Sequence, residues 1–265
     1  MSGTTTTIGP VATADAHARA EVLLGEAQLG GVTEIAGTPA DQTQGEVQPG
    51  EAQDAPAQVP PQVAATPLPA LTALDEQGLD VVFRTARTHW NWTDRPVTDD
   101  ELRRVYDLLR LGPTSANCSP ARFLFLRTQE SRDKLRPALS AGNVDKVMAA
   151  PVTVIVSYDP AFYDQLPKLY PETDAKSWFA DNKELAKDTA FRNGTLQGAY
   201  LIMAARAVGL DAGPMSGFDN ARVDQDFMSW RGWKSNFLVS LGHGEAEKLP
   251  PRAPRLEFWE ACELL

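Results

Sequence analysis

Within five residues, Thr114, Ser115 and Asn117 offer two hydroxyls, a carboxamide and several backbone N–H groups. Pro113 on one side and Pro120 on the other fix the backbone around them. Donors and acceptors held in place in this way suit the polar edge of a flat heterocycle, which is bound best by groups positioned beforehand. The same residues equally suit a helix-to-strand connection whose small polar side chains satisfy their own backbone. A second cluster lies upstream in Arg84-Thr-Ala-Arg-Thr-His-Trp-Asn-Trp92, where Arg87, Thr88 and His89 could donate to a phosphate. Arg84 and Arg87 could also simply offset the dipole of a last helical turn.

Several other chemistries find no residues to carry them. His17, His89 and His243 are far apart and have no Cys or carboxylate at metal-ligand spacing, so no zinc site is expected. There is no Gly-x-Ser-x-Gly elbow and no phosphate-loop lysine motif. Gly242-His-Gly-Glu-Ala-Glu247 starts like a dinucleotide fingerprint but lacks the third glycine and runs into Lys248-Leu-Pro-Pro251 instead of a helix.

The formal charge of -10 is unevenly distributed. Residues 1–70 carry eight Asp/Glu against Arg19 alone, while residues 71–265 hold 27 acidic and 24 basic residues. The second part has neither a basic field for nucleic acid nor a polybasic membrane patch. No stretch approaches the roughly 20 apolar residues of a membrane helix. Two cysteines, Cys118 and Cys262, argue against a disulfide framework and fit a reducing, cytoplasmic setting.

Residues 1–70 contain no Phe, Trp, Tyr, Lys or Cys and are rich in Ala, Thr, Gln, Gly and Pro. Such a segment buries too little apolar surface to offset its ordering entropy, so a disordered extension is expected, or the product of a start codon set too far upstream. Within it, Ala16–Leu29 could form a short helix and Thr43–Pro69 reads as a linker. From residue 71 onward one domain is expected. Leu74, Leu79, Val82, Phe83 and Ala86 follow helical spacing, predicting a helix over about Leu74–Thr88. Thr98 and Glu101 form a capping box stapled by Val97 and Leu102, ahead of a helix that ends at Gly112.

Strands are predicted at Phe123–Arg127, at Pro151–Tyr158 as the buried central one, and at Asn236–Leu241. Between them lie helices at Gln129–Leu139 and up to Ala149, then an aromatic-rich insertion over Asp159–Asn182. The insertion suits a lid, an interface or a partly buried surface loop. The longest helical pattern is Lys183–Val208, with Ala186, Ala190, Ala199, Ala204 and Ala205 permitting close approach. Gly209 caps it, and the stretch to Asp219 reads as loop. The pattern gives an α+β layered domain.

Taken in order, Arg-Thr-His89, Gly-Pro-Thr-Ser-Ala-Asn-Cys-Ser-Pro-Ala-Arg122, Ala-Gly-Asn143, Pro-Met-Ser-Gly-Phe-Asp219 and Arg-Ala-Pro-Arg255 resemble the FMN-dependent nitroreductase family, and within it the malonic semialdehyde reductase branch. The resemblance spans about Gly78 to the C-terminus. It implies a central, mostly antiparallel sheet flanked by helices. It also implies a homodimer with the long helix at the interface and two FMN sites shared between subunits. Arg87, Thr88 and His89 would hold the FMN phosphate, completed by Arg255 and Arg252. Pro113, Thr114, Ser115 and Asn117 would reach the flavin of the partner subunit. Asn143 would face the pyrimidine edge, and Pro214, Met215, Ser216 and Gly217 would lie over the ring. The sequence departs from the family at His89, where Ser is commoner, at Asn91, where Lys or Arg is usual, and at Ser216, where many relatives have Glu.

With the flavin carrying hydride chemistry, no side chain is required as a dedicated acid or base, and none is assigned. The resemblance implies NADPH or NADH as reductant and a small-molecule electrophile, malonic semialdehyde, reduced to 3-hydroxypropanoate. A broad nitro- or quinone reductase and a flavin-binding protein without turnover are the other readings.

Overall fold

A computed structural model of the chain describes residues 72–265. The extension expected over residues 1–70 lies outside the described residues. The expected first helix is real but short. Asp75 caps Glu76–Leu79 (α1) through a 2.7 Å bond from the Gly78 N–H, and a π-helical turn, Asp80–Arg84, ends it. Apolar spacing alone carries the helix on to Thr88, but the chain is instead drawn out beside a strand edge. Thr88 bridges Ala212 in parallel, and the His89 N–H donates to the Ala212 carbonyl.

Asp99–Leu109 (α2) begins with the expected capping box: the Glu101 N–H donates to Thr98 Oγ1 and the Thr98 N–H to Glu101 Oε2. Val97 and Leu102 are both buried behind it. Four strands follow in the order β1-β2-β4-β3, antiparallel throughout: Ala121–Leu126 (β1), Val152–Tyr158 (β2), Asp211–Met215 (β3) and Lys234–Gly242 (β4). Three of them lie where the sequence predicts strands. β3 falls in the stretch read as loop, because Gly213 and Pro214 weaken any strand signal. It survives at the sheet edge, where a missing N–H is tolerated.

Side chains alternate across the central strand. Val152, Val154 and Val156 join Val239 and Leu241 on one face, under α2 and the 25-residue helix Lys183–Ala207 (α7). Ile155 and Leu238 point to the other face, covered by Gln129–Leu135 (α3), Ala141–Ala149 (α4) and Asn220–Val223 (α8). The result is a sheet with helices on both faces.

Contact between α7 and the sheet depends on glycine more than on the expected alanine row. A Cβ on Gly198 would collide with the Phe237 ring and lie 3.1 Å from Val156 Cγ1; one on Gly194 would lie 3.0 Å from Tyr158 Cβ. Ala186, Ala190, Ala204 and Ala205 are buried as expected, but Ala199 is exposed.

The aromatic insertion contains two short helices, Leu166–Leu169 (α5) and Ser177–Ala180 (α6). Phe162, Leu166, Ala175 and Phe179 pack there against Cys118, Ala186 and Ala190. The tail ends in Phe258–Ala261 (α9), with Leu256, Phe258, Trp259 and Leu264 exposed.

Candidate functional site

The first functional feature is a basic cradle. After α1 the chain runs along β3, and the segment Pro250–Arg255 comes back across it. Arg87, Thr88, Arg206, Arg252 and Arg255 converge there on a cavity of about 370 Å³. Arg87 donates to the Pro250 carbonyl at 2.5 Å, and Arg252 to the carbonyls of Arg84 and Ala86 at 2.6 and 2.9 Å. Arg255 makes only local bonds, to Ala253 and Pro254. None of these four guanidiniums pairs with a carboxylate among the described residues.

Arg206, near the end of α7, was not foreseen in the sequence. Its Nε is buried without a hydrogen-bond partner. Burial holds its guanidinium below the ordinary value, Asp211 opposes the shift, and Arg252 adds to it. Four like charges around one cavity repel one another and gain from an anion placed between them.

His89 is not part of the cradle. Neighbouring side chains of an extended segment point to opposite sides, and Thr88 and Trp90 take the cradle side. The His89 ring is buried, with Nε2 3.4 Å from Asp211 Oδ1, and it packs closely against Gly244. Asp211 Oδ2 in turn accepts from the Gly244 N–H at 2.8 Å. The ring therefore clasps β3 to the end of β4.

Trp90 connects the cradle to a second group. It lines the cradle, packs against Gly213 and carries Lys146 Nζ 4.5 Å from its ring centroid. Lys146 lies 3.4 Å from Asn143 Oδ1, while Asn143 Nδ2 and the Ser140 N–H both donate to the Gly217 carbonyl at 3.0 Å. A Cβ on Gly217 would lie only 2.6 Å from Asn143 Nδ2. Pro214, Met215 and Ser216 line an adjoining groove with Phe191 and Phe237. Lys146 was also missed; the one available signal was its position a helical turn after Asn143.

The third group is the Pro113–Asn117 loop. Ala116, Asn117 and Ser119 all have positive φ (49°, 48° and 38°), a strained backbone for non-glycine residues. It is held by bonds from outside. Asn193 Oδ1 accepts from the Ser115 N–H at 2.9 Å, Asn117 Nδ2 donates to the Leu169 carbonyl at 2.8 Å, and Tyr200 Oη donates to the Pro113 carbonyl at 3.0 Å. Thr114 Oγ1 accepts from the Ser119 N–H. Asn193 and Gln197, both buried on α7, were overlooked; Gln197 Oε1 holds the start of β1 through the Ala121 N–H at 2.8 Å. Their spacing of four, each followed by Gly194 or Gly198, was the available signal.

The loop lines neither the cradle nor the groove beside β3. Within one chain, then, the cradle and the Asn143–Gly217 group are neighbours, and the loop stands apart from both.

The sequence model of the Nitroreductase family matches residues 83–243, more than half of the chain. The chain belongs to the nitroreductase family. A relative from Burkholderia lata carrying the name NADH dehydrogenase/NAD(P)H nitroreductase is 57% identical over 188 residues, 71% of this chain and 96% of its own. Two solved structures share the nitroreductase fold at lower identity. One is a nitroreductase from Exiguobacterium sibiricum in complex with FMN, with TM-score 0.63 and 22% identity over 74% of this chain and 99% of its own. The other is an NAD(P)H:FMN oxidoreductase from Staphylococcus epidermidis, with TM-score 0.62 and 18% identity over 75% and 100%. Among the described residues no helix is long and apolar enough to cross a membrane.

Proposed function

We propose that this nitroreductase-family chain is an FMN-dependent NAD(P)H oxidoreductase that works as a homodimer. The observation that carries the reading is the cradle: four guanidiniums without a carboxylate partner among the described residues, one with an orphaned buried Nε. That donor set fits a phosphate monoester better than a neutral ligand. Beside it, Trp90, Lys146, Asn143 and the Pro214–Gly217 strand end supply one apolar wall and several fixed polar groups, which fit a flat ring with a polar rim.

Arg87, Thr88, Arg206, Arg252 and Arg255 would hold the phosphate. Asn143 and Lys146 would hold the ring edge, and Pro214–Gly217 would cover one face. Bound FMN would supply hydride exchange between nicotinamide and a second substrate. These residues would fix the ring against the β3 edge, and Gly217, lacking a Cβ, leaves room for the Asn143 amide beside it.

The second wall would come from the partner subunit's copy of the Pro113–Asn117 loop. Its separation from the cradle within one chain supports this, as do the exposed apolar side chains Leu108 and Leu111 beside the loop, Phe191 on α7 and Trp259 in the tail. The motif resemblance at Arg-Thr-His89 and Pro-Met-Ser-Gly-Phe-Asp219 supports malonic semialdehyde as the electrophile, reduced to 3-hydroxypropanoate.

Anaerobic titration of the purified protein with NADH and with NADPH tests the reading. Bleaching of a flavin band is expected, followed by faster reoxidation with malonic semialdehyde than with a nitroarene or a quinone. A colourless protein, or a flavin band that neither nicotinamide bleaches, rejects the enzyme.

A further inference from the structure

Beside the Pro113–Asn117 loop opens a cleft of about 710 Å³ lined by Asn117, Ser119, Arg110, Arg122 and Lys168, with no Asp or Glu in its wall. The three cations are not equivalent. Arg122 is taken up within the chain: its Nη2 pairs with Asp159 at 2.9 Å and its Nη1 donates to the carbonyls of Ser119 and Ala121. Arg110 sits 3.5 Å from Asp107. Lys168 has no carboxylate partner among the described residues, and the nearby Asp164 is already paired with Lys176 at 2.9 Å.

Lys168 itself is exposed, but the backbone that carries it is held in place. Leu166, two residues earlier, is fully buried against Cys118 and Phe162. The carbonyl of the next residue, Leu169, accepts the Asn117 side chain. A cation on α5 is thereby tied to the loop assigned above to the partner's flavin, and it faces a cleft with no negative charge of its own.

We propose that Lys168 selects electrophiles that carry a carboxylate. The proposal rests on the shared-flavin reading and names the substrate class it would take. An ammonium on a flexible stem rooted in a fixed backbone attracts a carboxylate as a point charge without demanding one orientation. The reducible end of the same molecule is then free to turn toward the ring.

The test uses FMN-loaded full-length protein and substrate pairs that differ in the carboxylate: malonic semialdehyde against propanal, and 4-nitrobenzoate against nitrobenzene. The wild type should prefer the carboxylated member of each pair, less so at high salt. Lys168→Met should lower kcat/KM for that member by about fivefold, the size expected for one partly exposed ion pair. Lys168→Glu should lower it further, while the uncharged members stay within about twofold. Lys187→Glu, on an exposed position of α7, controls for overall charge.

Malonate binding, followed by perturbation of the flavin spectrum, gives a readout independent of turnover and should weaken in the same variants. Equal losses for both members of a pair, the same loss from Lys187→Glu, or an unchanged malonate Kd in Lys168→Glu would overturn the proposal. Failure of the flavin reading itself is seen earlier and separately, as protein without FMN or without bleaching by NAD(P)H.

Discussion

Replacing Arg206 with methionine should move ligand affinity and free-protein stability in opposite directions. The side chain is half-buried, its Nε has no partner, and its one backbone bond, to the Val82 carbonyl, is long at 3.4 Å. Arg252 adds repulsion. A buried donor without a partner costs about 1–3 kcal/mol, and methionine removes it while keeping most of the stem's volume. If about 1 kcal/mol is recovered, the flavin-free Tm should rise by about 2–4 °C for a domain of this size.

With FMN bound, the same change removes a charge-assisted bond to phosphate, worth about 1.5–3 kcal/mol. That is about a ten- to hundredfold weaker Kd. Riboflavin, lacking the phosphate, should bind wild type and variant alike. Equilibrium dialysis with both flavins and thermal unfolding of the stripped protein measure all three quantities. An unchanged FMN Kd refutes the assignment of Arg206 to the cradle. A parallel fall in riboflavin affinity and apo Tm would instead make Arg206 an ordinary structural residue.

Three other outcomes follow from the packing. Gly198→Ala must push on Phe237 and Val156, and overpacking of this kind should cost about 1–3 kcal/mol, read as a lower Tm. Asn193→Ala leaves the Ser115 N–H without its acceptor, so chemical denaturation should show a loss of about 1–3 kcal/mol, together with reduced FMN content. Burial pushes the Cys118 thiol up to about 11, against weaker lowering by hydrogen bonds from Thr114 and the backbone. At pH 8 the folded protein should therefore react with a thiol reagent only at the exposed Cys262, and Cys118 should respond only on unfolding or as pH climbs toward its own pKa.

The elements that could be read from the sequence were those whose signals are local. The Thr98 capping box needs only four residues, and the apolar run Val152–Val156 is buried on both faces, so each could be read before any tertiary contact was known. What could not be read depended on partners distant in the chain. β3 contains Gly213 and Pro214 and exists because β4 and the Thr88 segment flank it. The same pairing shortens α1, which by periodicity alone should run on.

The candidate site divides in the same way. The loop, Asn143 and the Arg252/Arg255 pair were visible as motifs. Arg206, Lys146, Asn193 and Gln197 sit inside helices, where a polar residue normally signals an exposed face; only the fold turns them inward. His89 shows the reverse error. It stood among donors in the sequence, and the extended backbone sends its ring to Asp211 instead.

The claim that one FMN lies between the cradle of one subunit and the loop of another is tested most directly by complementation. Two chains carrying different affinity tags are co-expressed, one with Arg87→Ala and Arg206→Met, the other with Ser115→Pro and Asn117→Ala. Each variant alone should form a dimer with little FMN. The doubly purified heterodimer contains one site with both walls intact and should hold about one FMN for every two chains, bleached by NAD(P)H. A heterodimer as empty as its parents, or a loop variant that keeps full FMN by itself, would contradict the shared site.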